Sequence, residues 1–139
     1  MSAKERGLVV LLRIFGCTSL LALYAVVQPD SWIAATHEWI GLGAFPQQPI
    51  AEYLARSLSA FYALLGGFLL LFSTDLVRYR DALVYVSGAV AVLGVALLFI
   101  DLNAELPGFW TWWEGPFVFA LGLVMSWLVR AVPRDDRAS

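Results

Sequence analysis

The sequence is poor in the residues from which most metal and redox sites are built. It has one cysteine, Cys17, and one histidine, His37. A single cysteine excludes a disulfide relay or a cysteine-based zinc site made by this chain alone, and Cys17 is expected to be a small buried core residue. A single histidine excludes the paired ligands of membrane haem sites. We therefore predict no metal site and no bound cofactor.

Recognisable catalytic motifs are lacking as well. The sequence contains no glycine-rich phosphate loop, no nucleophile elbow and no H-E-x-x-H helix. We predict no catalytic residue, and we expect a non-enzymatic protein rather than an enzyme. We also expect no nucleic-acid partner.

Charged residues are scarce, whereas apolar residues are abundant. Only 14% of the 139 residues are charged and 60% are hydrophobic, far from the composition of a soluble domain. A helix needs about 20 apolar residues to cross a bilayer core, and four stretches qualify: approximately 8–27, 54–73, 82–101 and 110–131. They lack the polar and apolar alternation of barrel strands. The sequence predicts an all-α integral membrane four-helix bundle, forming a single domain over 1–139 in contact with membrane lipids.

The first stretch has two interpretations, because Lys4 and Arg6 precede it as they would in a signal peptide. It is too long for that role, however, carries Arg13 inside, and lacks a clear A-x-A cleavage site. We predict that it is retained as the first helix.

Basic residues are concentrated on one side of this predicted topology. Eight of the nine lie near the two termini or in the loop 74–81: Lys4, Arg6, Arg13, Arg78, Arg80, Arg130, Arg134 and Arg137. The positive-inside rule then places both termini and the loop 74–81 in the cytoplasm. The location that we expect is a bacterial inner membrane. Six acids fall on the opposite, outer side: Asp30, Glu38, Glu52, Asp101, Glu105 and Glu114.

The first outer loop, 28–53, is long and rich in tryptophan. Its segment "PDSWIAATHEWIGLG" predicts a short helix at approximately 31–42, with Trp32 and Trp39 on one face. Tryptophan is favoured at membrane interfaces, so we expect this helix to lie there and to contact partner proteins. His37 is expected on its water-facing side and belongs to the same interface. The alternative role for His37 is that of a ligand to a porphyrin, a chlorophyll or a shared metal.

Small residues recur at helical spacing in the second and third stretches. They form two rows: Ser59, Ala63 and Gly67, then Gly88, Ala91 and Gly94. Such rows let helices approach closely in lipid. We predict that both serve packing rather than ligand binding.

The most informative group of residues is ionic. Arg56 is the one basic residue near the outer end of the second helix, and Glu52 lies four residues before it on the same face. Asp101 and Glu114 are expected at the same level of the bundle. Because an ionisable side chain inside a membrane is costly without a partner, Arg56 is expected to pair with Asp101 or Glu114.

The sequence leaves two interpretations of these charges open. In the first, the segment "PGFWTWW" is an aromatic belt, and the acids are outer-loop charges bonded to Arg56 and to helix ends. In the second, Arg56, Asp101 and Glu114 form a polar pocket, covered by Trp110 and Trp113, that binds a ligand headgroup or a proton. Pigment, quinone or lipid contact would follow from the second interpretation.

The segment "RSLSAFYALLGGFLLL", a short turn containing "RYR", and a third helix ending before a Gly- and Pro-containing loop resemble the DoxX-like group of small bacterial four-helix membrane proteins. The resemblance covers residues 54–131. It implies the fold and a habit of association, sometimes as a small subunit of a membrane oxidoreductase. It transfers no catalytic residue.

Four functions remain in view. The first is a non-catalytic accessory or structural subunit of a larger bacterial membrane complex, and we favour it. The second is a lipid, quinone or pigment binder that uses the outer pocket. The third is an enzyme in which Glu114 or Asp101 acts as general acid or base. The fourth, a small drug exporter, is disfavoured because the first helix carries Arg13 where such proteins carry an acid.

Overall fold

The computed structural model describes residues 1–134, and within that range the chain is all-helical, as the sequence predicts. These residues form six α-helices: α1 (Ala3–Leu21), α2 (Leu23–Val27), α3 (Asp30–Trp39), α4 (Pro49–Phe72), α5 (Arg80–Asn103) and α6 (Gly108–Val129).

Four helical spans are long and apolar enough to cross a membrane. They are Ala3–Val27, which joins α1 and α2, and then Pro49–Phe72, Arg80–Asn103 and Gly108–Val129. The chain is therefore a multi-pass membrane protein whose helices contact lipid. All four spans begin earlier than the apolar stretches suggest. At α4, Pro49 suits the first helical position and the Glu52–Arg56 pair stabilises the polar first turns.

The predicted interfacial helix at 31–42 corresponds to α3, which ends three residues sooner. Gly41 and Gly43 follow it, each with a φ of 84°. Glycine adopts this left-handed conformation without strain. The two glycines therefore let the chain leave the helix and turn towards α4.

The described residues group into two compact units. One takes residues 1–11 and the chain from Phe72 onward, and the other takes residues 12–71. We call them the α5–α6 unit and the α3–α4 unit. A single domain over 1–139 stays a prediction.

Glycine controls packing in the α5–α6 unit. A Cβ atom built on Gly94, Gly115 or Gly122 would come within 2.2, 2.7 or 2.3 Å of the facing helix. The nearest atom is the backbone nitrogen of Phe119 for Gly94 and that of Ala91 for Gly122. Gly94 thus faces Phe119, and Ala91, which is earlier in α5, faces Gly122, which is later in α6. The two helices are therefore antiparallel and nearly in backbone contact.

The α3–α4 unit has its own close contact, between α1 and α4. A Cβ on Gly66 would lie 2.6 Å from the carbonyl oxygen of Gly16, and one on Gly16 would lie 2.8 Å from Leu70 Cγ. The predicted small-residue rows are only partly right for packing within the chain. Ala91 and Gly94 contact α6, but nothing lies within 4 Å of a Cβ on Gly67 or on Gly88.

The prediction that Cys17 is buried is wrong. Its side chain is exposed on α1, although its neighbour Gly16 packs against α4. Because successive positions on a helix point about 100° apart, the residue after a packed glycine turns away from the contact.

Candidate functional site

Arg56 holds together the start of α4, the end of α2 and the start of α3. Its guanidinium donates from Nη1 to the carbonyl oxygen of Val26 at 2.6 Å and from Nη2 to that of Gln28 at 3.0 Å. It also pairs with Asp30 Oδ1 at 2.5 Å and with Glu52 Oε1 at 2.9 Å. The last carbonyls of a helix lack intrahelical partners and favour a nearby cation. We call these five residues the Arg56 cluster.

The carboxylate partners of Arg56 differ from those that the sequence predicts. An acid from another membrane-spanning helix, Asp101 or Glu114, is expected, whereas the structure gives Asp30 and Glu52. Asp30 reaches the guanidinium because only two residues separate α2 from α3. In the sequence, Asp30 is one of the six outer-side acids and a candidate cap for the short helix. Its position just after the first membrane span was the available signal for a partner of Arg56.

A pocket of about 310 Å³ opens beside the Arg56 cluster. Its lining includes the two carboxylates, Asp30 and Glu52, together with Phe45 and Gln48. All of its lining residues belong to the α3–α4 unit. The pocket thus combines acceptor oxygens with an aromatic wall, and two carboxylates share a single guanidinium.

His37 fixes the chain that follows α3. Its Nδ1 lies 2.8 Å from the carbonyl oxygen of Gly43, and its ring meets that of Phe45 edge-on at 5.4 Å. Because a carbonyl only accepts hydrogen bonds, Nδ1 carries the hydrogen and donates it. The geometry assigns His37 a positioning role in the loop.

Trp32 and Trp39 lie on α3 with their side chains largely uncovered. Trp39 is 85% exposed, and none of the residues of α3 is buried. The ring of Trp32 packs against that of Tyr24, with centroids 6.3 Å apart, but the side chain stays more than half exposed. α3 is therefore an ordered helix that presents two indole rings outward.

The structure brings together three of the residues predicted for a polar pocket, all in the α5–α6 unit. Trp110 Nε1 donates to Glu114 Oε2 at 2.7 Å. Asp101, near the end of α5, is only 3% exposed, and it lies near Glu114. The antiparallel packing explains this, because Asp101 lies two turns beyond Gly94 and so faces the beginning of α6. We call Asp101, Glu114 and Trp110 the acid cluster.

The acid cluster is rich in acceptors. Among residues 1–134, Asp101 Oδ2 is a buried polar atom with no hydrogen-bond partner. Thr111 is also buried. Its hydroxyl donates to the carbonyl oxygens of Leu106 and Pro107, each 3.4 Å away, and not to Asp101. Thr111 is not singled out by the sequence analysis. The one indication that it lies beside the acids is its place in the first turn of α6.

Trp113 does not share the position of Trp110. Its ring stacks on Phe117, with centroids 5.4 Å apart and planes 14° from parallel, and it is exposed. Of the two tryptophans predicted to cover the acids, Trp110 is thus the one that donates a hydrogen bond to Glu114.

Two further findings bear on function. Within residues 1–134, no group of three or more His, Cys, Asp or Glu side chains is placed to hold a metal ion. Comparisons with protein-family models, with curated proteins and with solved structures find no match to this chain. The resemblance to the DoxX-like proteins stays a prediction.

Proposed function

We propose that this chain is a non-catalytic accessory subunit of a larger complex in a bacterial inner membrane, with both termini in the cytoplasm. The observation that carries the proposal is α3, a helix held in place by specific bonds that nonetheless leaves both of its tryptophans exposed.

The bonds that hold α3 come from both of its ends. At the start, Arg56 binds the Gln28 carbonyl and the Asp30 carboxylate. At the end, His37 binds the Gly43 carbonyl. Ordering a short helix costs conformational entropy, and α3 buries no residue of its own to offset that cost. Tryptophan is enriched at the centres of protein interfaces, so a partner that covers Trp39 accounts for an ordered but uncovered helix.

The test is co-purification from the native membrane in a mild detergent, with mass spectrometry of the proteins that co-elute. We expect the wild-type chain to retain one or more membrane proteins and Trp39→Ala to lose them. Trp112→Ala is the matched control, because Trp112 is similarly exposed but lies on α6. A wild-type chain that elutes alone and monodisperse would contradict the proposal.

The proposed orientation has a separate test by thiol labelling of intact cells in a Cys17→Ser background. Ala44→Cys, at an exposed position of the first outer loop, should react with a membrane-impermeant maleimide, and Arg78→Cys should react only after the cells are opened. Labelling of position 78 from outside would reverse the orientation and leave the subunit proposal standing.

The second candidate is a binder of a lipid, quinone or pigment, favoured by the 310 Å³ pocket beside the Arg56 cluster. Its carboxylates suit a headgroup that donates hydrogen bonds or carries a positive charge. Mass spectrometry of small molecules extracted from the purified chain, with absorption spectra, tests this role. We expect Glu52→Gln to reduce the amount of any bound molecule, and equal amounts in both proteins would contradict binding at this pocket.

A further inference from the structure

One end of the α5–α6 unit gathers most of its basic residues. Lys4 Nζ lies 4.2 Å from the ring centroid of Trp127, near the end of α6. Arg80 Nε, at the start of α5, donates to the carbonyl oxygen of Val132 at 3.0 Å. The start of α1, the turn before α5 and the end of α6 therefore lie together. We call this region the basic end.

The described charges at the basic end are strongly unequal. Seven positive groups lie there: the amino group of Met1, Lys4, Arg6, Arg78, Arg80, Arg130 and Arg134. Three acids accompany them: Glu5, Asp75 and Asp81. Among residues 1–134, seven positive groups against three carboxylates leave an excess of four. Asp135, Asp136 and Arg137 follow in the sequence and add one net negative charge, so the excess of positive charge stays.

Each of the three acids at the basic end has a partner close to it in the chain, and Glu5 also lies 3.9 Å from the amino group of Met1. Glu5 accepts from the backbone nitrogen of Ser2 at 2.5 Å, as in a capping box. Asp75 accepts from the backbone nitrogen of Arg78 at 3.0 Å. Asp81 lies 3.6 Å from Arg80 and is fully exposed, where an ion pair contributes little.

Three guanidinium groups at the basic end have no described acid beside them. Within residues 1–134, no carboxylate lies within 4.0 Å of the exposed side chains of Arg6, Arg130 or Arg134. Guanidinium groups bind phosphate oxygens through two parallel hydrogen bonds. Trp127, half exposed beneath Lys4, adds the aromatic residue typical of the headgroup level of a membrane.

We propose that the basic end binds the phosphate-bearing headgroups of anionic phospholipids. Basic side chains beside a membrane span are attracted to anionic lipid surfaces, and the excess of positive charge at the basic end supplies that attraction. The basic end contains no residue of α3, so lipid binding there can be tested separately from the subunit proposal.

The experiment compares phosphatidylglycerol with phosphatidylcholine, which differ in net charge but share the glycerol backbone. The purified full-length chain is placed in mixed micelles that contain both lipids, and native mass spectrometry counts the molecules of each that it retains. We expect a clear preference for phosphatidylglycerol that weakens with added salt, because screening acts on exposed charges. Equal retention of the two lipids would overturn the proposal.

Charge variants locate the effect. Neutralising Arg6, Arg130 and Arg134 to Gln should lower the preference about fivefold for each residue, following the roughly 1 kcal/mol that one basic side chain contributes near an anionic surface. Replacing the same three residues by Lys keeps the charge and should keep most of the preference. Asp81→Asn, which removes an exposed acid, should increase it. A Gln variant that folds and retains the wild-type preference would overturn the assignment to this surface.

Discussion

Replacing Gly94 by alanine should destabilise the α5–α6 unit. A Cβ at this position would lie 2.2 Å from the backbone nitrogen of Phe119, 2.6 Å from its Cα and 2.8 Å from the carbonyl oxygen of Gly115. Ordinary Cβ contacts begin at 3.4 Å, so the nearest atom must move by the difference from 2.2 Å, about 1.2 Å. All three are backbone atoms. They cannot rotate away as a side chain would, so the helices themselves must separate.

The expected cost follows from that displacement. Forcing an extra methyl group into a well-packed contact typically costs about 1–3 kcal/mol, and the absence of any flexible neighbour puts Gly94→Ala at the upper end of that range. The free energy of unfolding is measured by titrating the purified chain from a mild detergent into sodium dodecyl sulfate, with helix content followed by circular dichroism.

Gly88→Ala is the control, because it adds the same methyl group to the same helix where nothing lies within 4 Å. Its free energy of unfolding should stay within about 0.5 kcal/mol of the wild type. If both variants unfold at the same dodecyl sulfate fraction, the close approach of α5 to α6 is refuted.

Three further predictions follow from other contacts. Gly66→Ala should lower the free energy of unfolding and Gly67→Ala should not, because only the first position packs against α1; equal losses in the same titration would contradict this packing. Arg56→Gln should lower the unfolding midpoint. Asp30→Asn should lower the midpoint less in the Arg56→Gln variant than in the wild type, because the ion pair is already lost; strictly additive losses would contradict this ion pair. Asp101→Asn should leave the free energy of unfolding unchanged or raise it, because the variant removes a buried charge with an unpartnered oxygen; a loss above about 2 kcal/mol would show that the carboxylate has a stabilising partner.

The fold class could be predicted from the sequence because hydrophobic length is a local property. A run of about 20 apolar residues specifies a membrane-spanning helix whatever surrounds it. The tryptophan spacing also predicts the short helix α3, although the predicted range runs past Gly41, where the structure has already left the helix. Helix starts were less readable, since Pro49, Glu52 and Arg56 extend α4 through contacts that hydropathy does not record.

The candidate sites depended on which faces of the helices meet, and sequence spacing does not decide that. The adjacent glycines of α4 show the difficulty: both suit a small-residue row, and only the packing selects Gly66 over Gly67. For the same reason the sequence predicts partners for Arg56 on distant helices, whereas the structure supplies Asp30 through a two-residue connection. The sequence places Asp101 and Glu114 at one level because they flank the short turn between α5 and α6.

The exposed Cys17 makes this protein a natural host for a single spectroscopic probe. It is the chain's only thiol, so a nitroxide or a fluorophore can be attached without removing other cysteines. The position lies midway along a membrane-spanning helix, next to the glycine that contacts α4, yet its side chain points away from that contact. A label there would sense oxygen and lipid when the surface is bare, and would lose that access when another protein covers α1.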